Sequence, residues 1–156
     1  MNPIARISLI LPLIAGALLL SSCASSYNKA FDQSAAEYSA GKVKSPEGAW
    51  EGTWTTSTNG HTGPIRAIVS EDLDKPGHYD FKYRASWNNF FSGTFNVNYA
   101  AKRRGGSYLV NGSEDLGPFG EFQHDAIITP SRFSASYKKN GGEEIGAFQM
   151  KRPAKQ

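Results

Sequence analysis

The chain has 156 residues, and 17 Lys and Arg face 14 Asp and Glu for a formal net charge of +3. That surplus is too small for a nucleic-acid footprint, which needs basic residues clustered on one face. The one tight basic run, Lys102-Arg103-Arg104, precedes Gly105-Gly106 and reads as a solvated hairpin tip. With a single cysteine, Cys23, no internal disulfide framework is available, so stability must come from an apolar core.

In chain order, Arg6 precedes an apolar run from Ile7 to Leu20, followed by Ser21, Ser22 and Cys23. A positive start, an apolar stretch and small residues before a cut are the parts of an export signal. As a helix the run spans roughly 21 Å, short of a hydrocarbon core of roughly 30 Å. Pro12 inside it further weakens a permanent span. The tetrad Leu20-Ser21-Ser22-Cys23 resembles the lipobox of bacterial lipoproteins. The resemblance implies a signal peptide over residues 1–22 and a lipid on Cys23, the first residue of the mature chain. It also implies a place in the bacterial cell envelope, with the membrane as partner through that lipid. Ala24 rather than Asp after the cysteine implies the outer membrane.

Residues 23–46 are rich in Ala, Ser and charge and show no strand-like alternation. A short helix over Ala30–Tyr38 would have few apolar residues to bury, so the segment reads as a flexible tether reaching roughly 25–30 Å. A folded domain is expected over 47–153, with a tail at 154–156.

From Gly48 the chain is punctuated at short intervals. Turn signals fall at Asn59-Gly60, Pro76-Gly77, Asn88-Asn89, Arg104-Gly105-Gly106, Ser113 to Gly120, Thr129-Pro130-Ser131 and Asn140-Gly141-Gly142. Between them residues alternate with period two. Tyr79, Phe81, Tyr83, Ala85 and Trp87 share one face, as do Phe91, Gly93, Phe95, Val97 and Tyr99, and Trp50, Gly52 and Trp54. Ile65–Glu71, Tyr108–Gly112, Glu121–Ile128, Arg132–Lys138 and Ile145–Arg152 complete eight strands, although Ile65–Glu71 has apolar residues on both faces. Short turns require antiparallel neighbours, and closure removes both bare edges. The expected fold is an all-β, eight-stranded antiparallel up-and-down barrel, with a two-sheet β-sandwich as the alternative.

Gly48-Ala49-Trp50 at the start of the first strand resembles the Gly-x-Trp opening of calycin barrels, the lipocalins and avidins among them. That likeness implies a late arginine packed over the tryptophan, a place Arg152 can fill, and an apolar small molecule as ligand. Residues 48–153 are also similar to a group of small bacterial lipoproteins carrying Trp-Glu-Gly-Thr-Trp, Asn-Gly-His-Thr-Gly-Pro and Phe-x-Met-x-Arg-Pro. No function comes with that second likeness.

Candidate chemistry is sparse. His61, in the loop Asn59 to Pro64, would stand at a barrel mouth as a ligand or proton-carrying group, or simply shape a turn. Glu114 and Asp115 lack the ordered oxygen ligands of a calcium loop, and a turn role for Asp115 is favoured. His61, His78 and His124 lie 17 and 46 positions apart, without metal-ligand spacing, and no Gly-x-Ser-x-Gly elbow occurs. The expectation is a noncatalytic protein without cofactor or metal. The ligand-binding candidates are Trp50, Trp54, His61, Phe81, Tyr83 and Phe95. The same inward rings either fill the barrel or line a pocket, and core packing has first claim on them. A binding lipoprotein, a structural or interaction lipoprotein with a filled barrel, and an enzyme with its site at the His61 loop follow in that order.

Overall fold

The structure, a computed structural model, describes residues 11–87 and 91–154, with side chains from Ser25 onward except those of Phe91 and Phe119. Arg6 and the Asn88-Asn89 turn lie outside the described residues. A helix α1 (Leu11–Ser39) precedes β1 (Gly48–Thr56), β2 (Thr62–Glu71), β3 (His78–Trp87), β4 (Phe91–Arg104) and β5 (Ser107–Asp115). A 3-10 turn (Gly117–Phe119), β6 (Glu121–Ile128), β7 (Arg132–Lys139) and β8 (Ile145–Lys151) follow. Each strand runs antiparallel to the one before it, and β8 pairs with β1, so the eight strands close into one barrel. The sandwich alternative is excluded.

Two strands outrun their expected ends. Gly105, at φ 59°, turns the chain so tightly that pairing continues to Arg104 opposite Ser107, which takes Lys102–Arg104 into an exposed hairpin arm. Beyond the pair Ala101–Val110, however, no pairing between β4 and β5 occurs among the described residues. β5 continues to Asp115 on β6 alone.

One half of the interior is solid. Trp50, Val69, Phe81, Ile128 and Phe133 are all but fully buried. Phe133 meets Trp50 edge-on at 5.6 Å and Phe81 at 6.1 Å. Each such side chain contributes roughly 1.5–3 kcal/mol by burial. Gly52 is required there, because a Cβ on it would lie 1.9 Å from the Gln149 carbonyl oxygen of β8. Arg152 seals this end as the calycin likeness implies. Its guanidinium lies 3.5 Å from the ring centroids of both Trp50 and Tyr38, and it donates to the carbonyls of Ala49 and Pro130. Burial between the rings brings its pKa down to about 10.

The segment expected to be a flexible tether is instead helical through Ser39 and docked on the outer wall. Tyr27 and Phe31, each 3% exposed, pack with Ala35 on Ala49 of β1 and Ile68 of β2. Arg66 and Arg84 lie over the Phe31 and Tyr27 rings at 4.7 and 5.5 Å. Tyr27 donates its hydroxyl to the Lys82 carbonyl, and Tyr38 donates to that of Pro130. The physical reason is the pair of outward apolar residues on β1 and β2, which a helix alone does not reveal. Elsewhere the outer face carries Thr53, Asp80, Lys82 and Gln123, all exposed, the reverse of the apolar band of a membrane-spanning barrel. Residues from Ser25 onward therefore hold a closed sheet, its core and its docked helix. Among the described residues that set joins sheet, core and helix into one domain, so the part from Ser25 is expected to fold as a unit.

Candidate functional site: a cavity in the open half of the barrel

The other half of the interior is hollow. A cavity of about 340 Å³ runs from the loops at Asn59, His61 and Pro118 down to the buried side chains of Tyr83 and His124. Its size falls at the small end of the usual range for small-molecule sites, about 300–1,000 Å³. It suits one ring system or a short acyl chain rather than a diacyl lipid.

Local packing explains why this half does not fill. Four inward positions are glycine, and each hosts a ring from a neighbouring position. A Cβ on Gly63 would fall 2.8 Å from the Trp54 indole nitrogen, and one on Gly93 would fall 3.1 Å from Trp87. On Gly112 it would fall 2.1 Å from the Tyr99 ring, and on Gly146 it would fall 2.3 Å from Tyr137. Trp54 and Tyr137 stand directly opposite their glycines in the sheet register. The rings thus lie down against the wall instead of meeting at the axis, and the centre stays open. Hydrogen bonds hold two of them: Trp54 Nε1 donates to the Ser86 carbonyl at 3.1 Å, and the Tyr137 and Thr56 hydroxyls pair at 2.8 Å.

His124 is the one buried ionisable nitrogen base of the site. It projects inward from β6 and stacks on Tyr99, with ring centroids 5.2 Å apart and planes at 14°. Tyr83 and Phe148 flank it at 5.9 and 5.8 Å. Its Nε2 lies 3.3 Å from the Tyr83 hydroxyl, while Nδ1 is buried without a hydrogen-bond partner among the described residues. Burial lowers its pKa to about 4, with Asp125 opposing the shift, so the ring is neutral near pH 7. Burial likewise pushes the Tyr83 and Tyr99 phenols well above their ordinary range. Charge enters only near the opening, where Lys139 and Glu144 are half-buried.

Of the candidates read from the sequence, Trp54, His61, Tyr83 and Phe95 line this cavity. Trp50 and Phe81 do not: they belong to the solid half, because their rings meet Phe133 there. His61 is exposed at the opening in a tight turn, its N–H donating to Asn59 Oδ1 and its carbonyl accepting from Thr56 N–H. Asp115 accepts from the Gly117 N–H, the turn role expected of it. Cys23 lies in α1, and its side chain is outside the described set. Trp87, Tyr99 and Tyr137 are additions to the expected site residues, and His124, weighed in the sequence only for metal-ligand spacing, joins them. His124 had a legible signal, since it shares the inward face of β6 with Ala126 and Ile128. Among the described residues no three His, Cys, Asp or Glu side chains group as metal ligands. Comparison with known protein families, characterised proteins and solved structures finds no match for the chain.

Proposed function

We propose that the protein is a noncatalytic, lipid-anchored lipoprotein of the bacterial envelope, most simply of the outer membrane, whose barrel binds one small apolar molecule. The observation that carries the binding half is the aromatic cavity itself. A well-formed, mostly apolar pocket with few polar groups is the ordinary form of a small-molecule site. Its deep end holds a neutral histidine among rings, with the charged side chains confined to the opening. That arrangement suits holding a ligand better than moving protons.

The anchoring half rests on Leu20-Ser21-Ser22-Cys23. With α1 docked from Tyr27, only residues 24–26 separate Cys23 from the wall of the barrel. Within the helix, at about 1.5 Å of rise per residue, Cys23 stands roughly 6 Å along the axis from Tyr27. The barrel would sit against the headgroups instead of swinging clear of them.

Titration of residues 25–156 with the neutral fluorophore N-phenyl-1-naphthylamine tests the binding. The expected result is saturable binding near one per chain, with altered tryptophan emission from Trp54 and Trp87. An absence of saturable binding by several apolar probes would return the barrel to a structural or interaction role. For the anchor, radioactive palmitate should label the full chain in a bacterial host and fail to label Cys23→Ser. Undiminished label in that variant would end the lipoprotein reading.

A further inference from the structure

The upper part of the cavity is polar on one side. Thr56 ends β1, Tyr137 and Lys139 end β7, and Glu144 leads into β8, and these three strands are neighbours in the barrel. Across from them, β3 and β4 present Ala85, Trp87, Phe95 and Val97. We infer that the ligand is a ring-bearing zwitterion, with an ammonium and a carboxylate on one short arm, whose ring enters the cavity while Glu144 and Lys139 meet its head at the opening. The inference rests on the proposed binding function and adds a charged head to the apolar body that function calls for.

The register builds the polar side in two rows. Thr56 and Tyr137 both stand opposite Gly146. A Cβ on Gly146 would fall 2.3 Å from the Tyr137 hydroxyl, so only glycine lets that ring lie across β8 and reach the Thr56 hydroxyl at 2.8 Å. Two residues further toward the opening, on the same inward face, Lys139 and Glu144 form the next row. The Lys139 N–H donates to the Glu144 carbonyl at 2.9 Å, and both side chains line the cavity. Opposite charges facing each other across strands attract, yet among the described residues neither has an ion-pair partner. The Lys139 stem runs instead past Gly120 and Gly142, where a Cβ would fall 3.1 Å from it, and its ammonium lies 5.9 Å from the Phe122 ring centroid. Glu144 is felt by Tyr137: burial and this carboxylate push the phenol upward, against the bond from Thr56, and keep it protonated.

Both charged side chains are half-buried, so each is open to a ligand in the cavity and only partly screened by water. An anionic head alone would meet Glu144, a cationic head alone would meet Lys139, and an uncharged head would leave both without a partner. A zwitterion satisfies the two together. One row below, the Thr56–Tyr137 pair uses one hydroxyl proton between its members and has the other to give. The ring of the ligand meets Trp54, Trp87 and Phe95, whose centroids are 5.9 and 6.2 Å apart in tilted and edge-on arrangements that a further ring extends.

Four naphthalenes of nearly one shape separate the possibilities on the full chain in lipid nanodiscs, with empty nanodiscs as the blank. They are 3-(2-naphthyl)alanine (zwitterion), 3-(2-naphthyl)propionate (anion), 2-(2-naphthyl)ethylamine (cation) and 2-(2-naphthyl)ethanol (uncharged). In titration calorimetry at pH 7 the zwitterion should bind roughly threefold more tightly than either singly charged compound and roughly tenfold more tightly than the alcohol. Lys139→Met should weaken the zwitterion and the anion, Glu144→Gln should weaken the zwitterion and the amine, and neither should change the alcohol. The wild-type series decides even if a variant misfolds. Binding of the alcohol as tight as that of the zwitterion, tighter binding of one singly charged compound, or a zwitterion advantage kept in both folded variants would each overturn the inference. Those results would leave the binding function standing, since the series still binds. Saturable binding by none of the four would also overturn the inference, and the N-phenyl-1-naphthylamine titration then shows whether the binding function falls with it.

Discussion

At the scale of single residues, His124 makes the fold sensitive to mild acid. An unfolded histidine titrates near 6.5, whereas burial among Tyr83, Tyr99 and Phe148 brings the folded value to about 4. Above the unfolded value both states are neutral and nothing is lost. As pH falls below about 6.5 the unfolded chain takes up a proton that the folded one refuses, so stability declines, by roughly 3 kcal/mol once pH 4 is passed. The melting temperature of wild type should drop by several degrees between pH 7 and pH 5, and that of His124→Phe by much less. Equal drops would show that the imidazole is not held neutral in the fold. A second residue-scale test uses the two faces of β1. Trp50 is fully buried against Phe133 and Arg152, while Thr53 is exposed. Trp50→Ala should cost roughly 3–5 kcal/mol in denaturant unfolding and Thr53→Ala a small fraction of that. Comparable costs would contradict the inward assignment of the Trp50 face.

At the scale of elements, α1 behaves as part of the folded domain. Tyr27, Phe31, Ala35 and Tyr38 recur at helical spacing and present one narrow stripe to the barrel. Considered alone, that stripe buries too little to hold a helix, which is why the segment reads as a tether in sequence. The missing half of the contact lies on Ala49 and Ile68, apolar residues on the outward faces of β1 and β2. The two-faced character of Ile65–Glu71 was therefore the visible trace of a partner some forty residues upstream. Two rings are buried by the docking, set against the entropy of ordering the helix. A chain beginning at residue 46 should be less stable than one beginning at residue 25, by roughly 2–4 kcal/mol in guanidinium unfolding. Identical midpoints for the two chains would mean that α1 rides on the barrel without supporting it.

At the scale of the whole molecule, the barrel is solid at one end and hollow at the other, and one substitution made at two heights tests that division. Ala67 is fully buried beside Trp50 and Tyr83 in the sheet register. Ala85, on the same inward layer further along, lines the cavity. Ala67→Leu should overpack the solid half and destabilise by about 1–3 kcal/mol. Ala85→Leu should instead extend into open space, leave the melting temperature level or raised, and weaken binding of N-phenyl-1-naphthylamine by tenfold or more. If both variants lose stability alike, the interior is packed throughout and the binding proposal falls.

The closed antiparallel barrel was legible in the amino-acid order because both of its causes are local. Period-two alternation sets which side chains face inward, and closely spaced Gly, Pro and Asn turns leave each strand only its sequence neighbour as partner. The Trp50–Arg152 seal was legible through resemblance, for the same reason that it joins the two ends of the strand order. Whether the interior is full was not legible. Glycine at 63, 93, 112 and 146 could mean a gap or a close approach, and only the tertiary structure shows a ring lying over each. The depth of His124 and its Tyr83 partner depend on strands 41 residues apart in sequence. Such contacts are set by how the sheet curves shut, which no local pattern encodes, and they decided that this barrel has room for a ligand.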